Sequence, residues 1–276
     1  MSSVDAITFV VASLGIDNTL ETNLLASPCF RAPHLHQILV QRSFPSAALA
    51  YNHAIDSATN DLLVFAHEDI IFPAPWLSQL ERALKYIQQE DPNWGVLGCY
   101  GVTRDQGGRG HVYSPHCGII GKPFANPVPV QTLDEIVLIL RKSSGLRFDD
   151  HLPHFHLYGT DICLRAAQKG MRSYAISALC IHNHRYYVVL PKEFYECSRY
   201  IKRAWAEFLP IQTSCTMITR SDLGYFKQRL RGAIGRYTRP SASEAPRLND
   251  VSRLLKHVDA ISEEAVSSTC SEIPTR

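Results

Sequence analysis

Asp61-Leu-Leu-Val-Phe-Ala-His-Glu-Asp-Ile-Ile-Phe72 is the stretch that decides the fold. An unbroken apolar run of this length, closed by charge at its carboxyl end, has the pattern of a parallel strand buried on both faces. His67, Glu68 and Asp69 then stand at the edge of the sheet. In open α/β sheets ligands bind outside the carboxyl ends of the strands, so a carboxylate pair there is placed for a hard cation and the phosphates it carries. The alternative is a helix cap. Pro73 and Pro75 are the helix-start residues, however, and the acidic pair comes too early to cap the helix they open.

Working outward, Ala6–Ala12 is expected to form a first buried strand that turns at Ser13, Leu14 and Gly15, and Thr19–Ala26 a short helix. His36–Gln41 supplies a second strand. Ser46 opens a helix in which Ala48, Tyr51, Ile55 and Ala58 recur at three- and four-residue steps. Beyond the central strand, Trp76, Leu80, Ala83, Leu84 and Ile87 share one face of a helix over Pro75–Gln89, and Trp94–Tyr100 is a fourth strand. This alternation predicts an α/β fold: a mostly parallel, right-handed Rossmann-like sheet flanked by helices.

After Gly101 the pattern changes to a long loop rich in Gly, Pro and His, over 102–127, with short strands that include Cys117–Ile120; long loops of this kind are usually binding segments. Thr132–Arg141 reads as a buried strand with Asp134 and Glu135 at its amino end. The segment from Leu146 to Tyr158 is dense in titratable groups. Asp161–Lys169 reads as a helix closed by Gly170, and Ser173–Ile181 as a strand leading to His182. Pro191 to about Tyr237 is expected to be helical, and its basic part, 225–239, is either a solvated helix face or a contact with an anionic membrane surface. From Pro240 the composition is that of a disordered tail, apart from a short helix over Val251–Ala260. The expected division is 1–190 as the main domain, 191–239 as a C-terminal helical extension and 240–276 as the tail.

A chain of 276 residues can bury a large core. Its formal charge of +2, with both signs interspersed, gives no polyelectrolyte signature for nucleic acid. The eight cysteines are scattered without zinc-knuckle or redox spacing. Together with an amino terminus unlike a secretory signal and no apolar run long enough to span a bilayer, this leads to the expectation of a cytoplasmic protein.

Neither glycine cluster, at Gly107–Gly110 or Gly118–Gly121, has the spacing of a dinucleotide fingerprint or a phosphate loop, and no nucleophile-elbow motif occurs. A longer-range combination remains: His67-Glu-Asp69, Thr132-Leu-Asp134, Phe148-Asp-Asp150, Tyr158-Gly-Thr-Asp-Ile-Cys-Leu-Arg165 and Ile181-His182. In order and spacing, over residues 6 to 190, these resemble the bacterial family-2-like glycosyltransferases of the GT-A fold, especially the branch found in capsule and aminoglycoside biosynthesis. The resemblance implies a nucleotide-domain fold, a nucleotide-diphosphate sugar as donor, a hydroxyl-bearing acceptor, and Mn²⁺ or Mg²⁺ to neutralise the leaving diphosphate. It implies Asp69 and His182 as metal ligands, a pair that suits Mn²⁺ better than Mg²⁺. It also implies Asp161 as general base in an inverting reaction, Ser13, Asn52, His67 and Glu68 as nucleotide contacts, and Asp134, His154, His156 and Tyr158 on the acceptor side. The family's Asp near the end of the second strand is replaced here by Gln41-Arg42, which leaves the nucleobase open.

Three functions compete at this point. The leading one is a metal-dependent glycosyltransferase of bacterial polysaccharide or glycoconjugate biosynthesis. The others are a catalytically silent sugar- or nucleotide-binding relative and a metal-dependent phosphohydrolase or nucleotidyltransferase on a similar sheet.

Overall fold

The computed structural model describes residues 6–30, 36–105, 107–115, 117–184, 186–187, 190–221, 244–245, 248, 250–256 and 258. The basic segment 225–239, and with it the membrane contact expected there, lies outside them. Among the described residues no helix is long and apolar enough to cross a membrane.

Seven strands make up the main sheet: β1 (Ile7–Ser13), β2 (Gln37–Arg42), β3 (Leu62–Ala66), β5 (Val96–Gly98), β9 (Val128–Val130), β11 (Val137–Arg141) and β12 (Ser173–Ala175). They lie in the order β2-β1-β3-β11-β5-β12-β9. β2, β1 and β3 pair in parallel, as do β5 and β12, while β11 lies antiparallel between β3 and β5 and β9 antiparallel at the edge. Side chains alternate across the sheet. Val10, Phe65, Leu138 and Leu140 enter one core with helices α2 (Ala47–Ser57), α4 (Tyr158–Gln168) and α5 (Lys192–Ala204). Phe9, Val11, Val64 and Ile139 enter the other with α3 (Trp76–Glu90). Both faces are covered, which is why the central strands tolerate uninterrupted apolar sequence. The Ser46 side chain accepts from the Leu49 amide, so α2 starts where its cap residue stands.

A second sheet is built from β4 (Ile70–Ile71), β6 (Tyr100–Val102), β7 (Gly108–Ser114), β8 (Gly118–Gly121), β10 (Thr132–Leu133) and β13 (Cys180–His182). It runs β10-β6-β7-β13-β4, with β8 beside β7. Four expectations need correction. Thr132–Arg141 is two strands in two sheets, broken at Asp134–Ile136, and its second half runs against β3 rather than with it. Ser173–Ile181 likewise divides into β12 and β13. The helix expected over Thr19–Ala26 is a single turn, α1 (Thr19–Thr22). Among the described residues the C-terminal extension is helical in α5 and in a short 3-10 turn, Ala206–Phe208, and a hairpin of β15 (Ile211–Gln212) and β16 (Met217–Ile218) stands where helix was expected to continue.

The tail is structured where it is described. A strand β17 (Glu244–Ala245) pairs with β14 (Tyr186–Tyr187), and residues 251–256 are helical. Leu254 and Val258 are buried with Tyr113, Leu179, Ile181 and Ile71 against the second sheet.

Candidate metal centre and adjoining cleft

β3 ends at Ala66 and the chain turns over His67–Asp69, the His67 amide donating to the Ile136 carbonyl and the Ile70 amide to the His67 carbonyl. β4 then pairs antiparallel with β13, Ile70 opposite His182. Two sequence-distant residues, Asp69 and His182, are thereby set side by side by strand register. His182 Nε2 lies 3.5 Å from Asp69 Oδ1 and His67 Nδ1 lies 4.0 Å from the same oxygen. One ligand atom from each of the three falls within 4.8 Å of the others.

The far side of the His67 ring is also held. Its Nε2 is 2.9 Å from the Tyr158 hydroxyl, which donates to the Glu135 carbonyl at 3.3 Å. A hydroxyl that donates to a carbonyl accepts from the imidazole, so the His67 proton sits on Nε2 and the Nδ1 lone pair faces Asp69. Fixing the tautomer through the other ring nitrogen is how protein metal sites orient a histidine. Burial, only partly opposed by Asp69, pushes the His67 pKa down to about 4, so the ring is neutral at physiological pH. The residues fit a divalent ion. Metal–ligand bonds of ~2.1 Å place neighbouring donors ~3 to 3.5 Å apart, which His182 already meets at 3.5 Å from Asp69 and His67 approaches at 4.0 Å, and two imidazoles with one carboxylate favour Mn²⁺ or a later first-row ion over Mg²⁺.

A cleft of about 240 Å³ adjoins this cluster, lined by His67, Glu68, Asp69, Tyr158, Ser13, Gln41 and Phe44 among others. It crosses the carboxyl ends of three strands. Gln41 is the register partner of Ala12 on β1, and Val11 that of Ala66 on β3. With neighbouring strands ~4.8 Å apart, Gln41 stands ~10 Å from the His67 backbone across the cleft floor. Gln41 is buried, and its Oε1 accepts from His53 Nδ1 at 2.8 Å. The Ser13 hydroxyl accepts from the Gly15 amide at 3.1 Å and from Arg42 Nη1 at 3.4 Å. Gly15 has φ +65, and a Cβ there would lie 2.5 Å from the same guanidinium nitrogen, so glycine lets Arg42 close over this turn.

Most of the other residues singled out in the sequence are not brought to the cleft. Asp161, expected to be the general base, is fully buried. Its Oδ2 accepts from Arg165 Nε at 2.7 Å and its Oδ1 from Trp205 Nε1 at 2.8 Å, so both oxygens are spent on tying α4 to the end of α5. Nor is it the helix cap: that position is Leu157, with φ 63, and Asp161 lies in the first turn. Arg165 also pairs with Asp149, which accepts from the Tyr200 hydroxyl at 2.8 Å. Asn52, expected to contact nucleotide, clasps the backbone of Phe148 from both sides at 2.9 and 3.0 Å. His154 turns to α5, 2.7 Å from Glu196. His156 packs on Phe194 of α5, near enough to His67 for each charge to disfavour the other. Tyr158 lines the cleft, but its hydroxyl holds His67. Asp134 accepts from the Ile136 amide at 3.1 Å, and its charge favours protonation of His67.

Glu135 carries more than the sequence indicated. Burial, then Asp134, raise its pKa to about 8, against backbone amides of its own residue, Leu157 and Gly159. The carboxyl group thus lies on the amino end of α4, where helix amides collect negative charge. Gly159 was the available signal. A Cβ there would meet the Leu133 carbonyl at 2.7 Å and Glu135 Cγ at 3.3 Å, so this close approach requires glycine. Tyr51, whose hydroxyl is 3.5 Å from that of Tyr158, was legible only as a core residue.

No family model matches the sequence. The chain is 30% identical over 131 residues to a protein of Fuscovulum blasticum described as "ATP synthase subunits region ORF 6", an alignment covering 45% of this chain and 51% of that protein. The chain therefore spans about half the length of the curated relative it matches. Among solved structures, GalNAc-T7 with UDP, GalNAc and Mn²⁺ superposes with a TM-score of 0.50 at 10% identity, covering 71% of this chain and 47% of that one. The mannosyltransferase PcManGT from Pyrobaculum calidifontis, in complex with GDP-Man and Mn²⁺, gives 0.47 at 13% identity, covering 98% and 76%. The first likeness identifies the architecture as the GT-A glycosyltransferase fold.

Proposed function

We propose that the chain is a metal-dependent glycosyltransferase that moves a sugar from a nucleoside-diphosphate donor to a hydroxyl acceptor. The observation that carries this reading is the convergence of His67, Asp69 and His182 at one end of a cleft that continues across β1 to Gln41. The ~10 Å between the ends, two strand spacings, supports a donor lying with its phosphates at the histidines and its base over Gln41 and Phe44. With its Oε1 held by His53, Gln41 turns its amide N–H groups to the base and favours one that carries a carbonyl. A divalent ion bound by the triad would neutralise the departing diphosphate. Asp69, His182 and the neutral His67 would supply its donors, and Tyr158 keeps His67 in the required tautomer. With Asp161 enclosed and burial favouring the protonated form of Glu135, Asp134 is the carboxylate near His67 left to take the acceptor's proton. Inversion, a role in bacterial polysaccharide or glycoconjugate synthesis and a cytoplasmic setting complete the proposal on the strength of the sequence resemblance.

Thermal shift and calorimetry with Mn²⁺ and a panel of nucleoside diphosphates test it. A true ligand at a hundredfold excess over its dissociation constant stabilises by ~2.7 kcal/mol. The expected result is Mn²⁺-dependent binding of UDP, GDP or CDP, lost in Asp69→Asn. In Gln41→Leu the affinity for the preferred nucleotide falls about tenfold, the lower end of what one polar base contact is worth, with Mn²⁺ binding unchanged. Absence of binding by every nucleotide, with and without Mn²⁺, would sink the reading.

A further inference from the structure

Asp69 and His182 stand diagonally at the end of a very short ladder, since β4 has two residues and β13 three. Two-residue pairings are marginal alone, so something else must fix the separation of these side chains. Asn183, next in sequence to His182, is wholly buried. Its amide donates to the Asp69 carbonyl at 3.0 Å, extending the ladder by one bond past the pair Ile70–His182. Its side chain then reaches away from the site. Nδ2 donates to the Leu248 carbonyl and to Asn23 Oδ1, both at 2.8 Å, and Oδ1 accepts from the Leu248 amide at 3.0 Å. The carboxamide thus pairs with both backbone groups of Leu248 as a strand neighbour would.

The same tail covers the strand pair from behind. Leu254 and Val258, 4% and 1% exposed, pack with Ile71, Ile181, Tyr113 and Leu179; Ile71 and Ile181 are register partners on β4 and β13. Upstream, β17 pairs with β14, just beyond His182. The tail therefore engages the strand pair that presents the two ligands through a carboxamide clasp and an apolar cover, and the chain just beyond it through the β14–β17 ladder.

We propose that Asn183 is a positioning residue of the metal centre, through which the C-terminal residues Leu248, Leu254 and Val258 hold Asp69 and His182 at ligand spacing. The inference rests on the reading of His67, Asp69 and His182 as a divalent site. Removing groups that orient metal ligands costs ~10- to 100-fold in metal affinity. Asn183→Ala leaves Asn23 Oδ1 and the carbonyl and amide of Leu248 without this partner, a loss that no apolar side chain replaces.

The test uses the full chain and Mn²⁺ alone, followed by calorimetry or electron paramagnetic resonance, with melting in EDTA as the parallel readout. Asn183→Ala is expected to weaken Mn²⁺ binding about tenfold or more. Leu254→Ala, which touches neither ligand, is expected to weaken it several-fold. Ile201→Ala, in α5 and in the core that holds no residue of β4 or β13, serves as the control: it lowers the melting temperature and leaves Mn²⁺ affinity unchanged. Mn²⁺ affinity within twofold of wild type in Leu254→Ala overturns the proposal even where Asn183→Ala fails to fold, and so does a loss equalled by Ile201→Ala. A wild-type chain that binds no Mn²⁺ overturns the metal-site reading on which the proposal stands.

Discussion

Asp161→Asn separates a structural carboxylate from a catalytic one. The side chain is fully buried, with Arg165 Nε at 2.7 Å on one oxygen and Trp205 Nε1 at 2.8 Å on the other. An asparagine of the same shape keeps one of these bonds and turns its NH₂ toward the remaining donor, while Arg165 retains Asp149 as its counter-ion. A hydrogen bond to a charged group is worth ~1.5 to 3 kcal/mol, so a loss of about 3 kcal/mol is expected. At ~2.1 cal/mol/K per residue over 276 residues, the unfolding entropy is ~0.6 kcal/mol/K, and the melting temperature should fall by about 5 °C. Circular dichroism or differential scanning calorimetry measures this directly. Nucleotide binding by the folded variant at about 20 °C should match wild type, because the residue does not reach the cleft. A variant that melts within about 1 °C of wild type would refute the reasoning, and unaltered melting with abolished sugar transfer would return Asp161 to the role of base.

Two further outcomes arise from the hydrogen bonds around His67 and Glu135. Tyr158→Phe removes the partner of His67 Nε2 and should weaken Mn²⁺ binding ~10- to 100-fold, read by titration; unchanged affinity would mean that the hydroxyl does not set the tautomer. The Glu135 carboxyl group titrates near 8 in the fold, above its ordinary value of 4.5, so burial favours its protonated form. Its contribution to stability is complete below about pH 4.5 and is lost as pH rises to about 8, by linkage. Glu135→Gln keeps the neutral form throughout, so its melting temperature should fall less than that of wild type between about pH 5 and 8. Parallel profiles for the two chains would remove the buried-acid assignment.

The parts of this fold legible in the sequence are those fixed by local pattern. The apolar run Leu62–Ala66, the cap at Ser46, the one-sided face of α3 and the left-handed Gly170 each have a local cause and appear where the pattern puts them. Strand direction has no such cause. Val137–Arg141 is equally apolar whichever way it runs, and only the tertiary packing sets it antiparallel to β3. The division of Ser173–Ile181 between two sheets is invisible for the same reason. At the site, the triplet at 67–69 and the late histidine could be singled out by residue type, whereas the roles of Asp161 and Asn52 depended on partners 44 and 96 positions away. Both residues have side chains that serve structure and chemistry alike, and composition does not say which.

The reversed course of β11 has a consequence for how such a cleft can change. The parallel strands β3 and β1 deliver residues to the cleft edge on loops leaving a strand, but Asp134 and Glu135 arrive on a loop entering one. That entry loop is pinned at both ends, by β10 in one sheet and β11 in the other, with only three residues between. The departing loops can lengthen or shorten without disturbing their strands; this one cannot gain a residue without pulling two sheets out of register. Variation in substrate should therefore accumulate around the acidic pair rather than in it, and an engineered change of acceptor is better sought in the looser arms of the molecule.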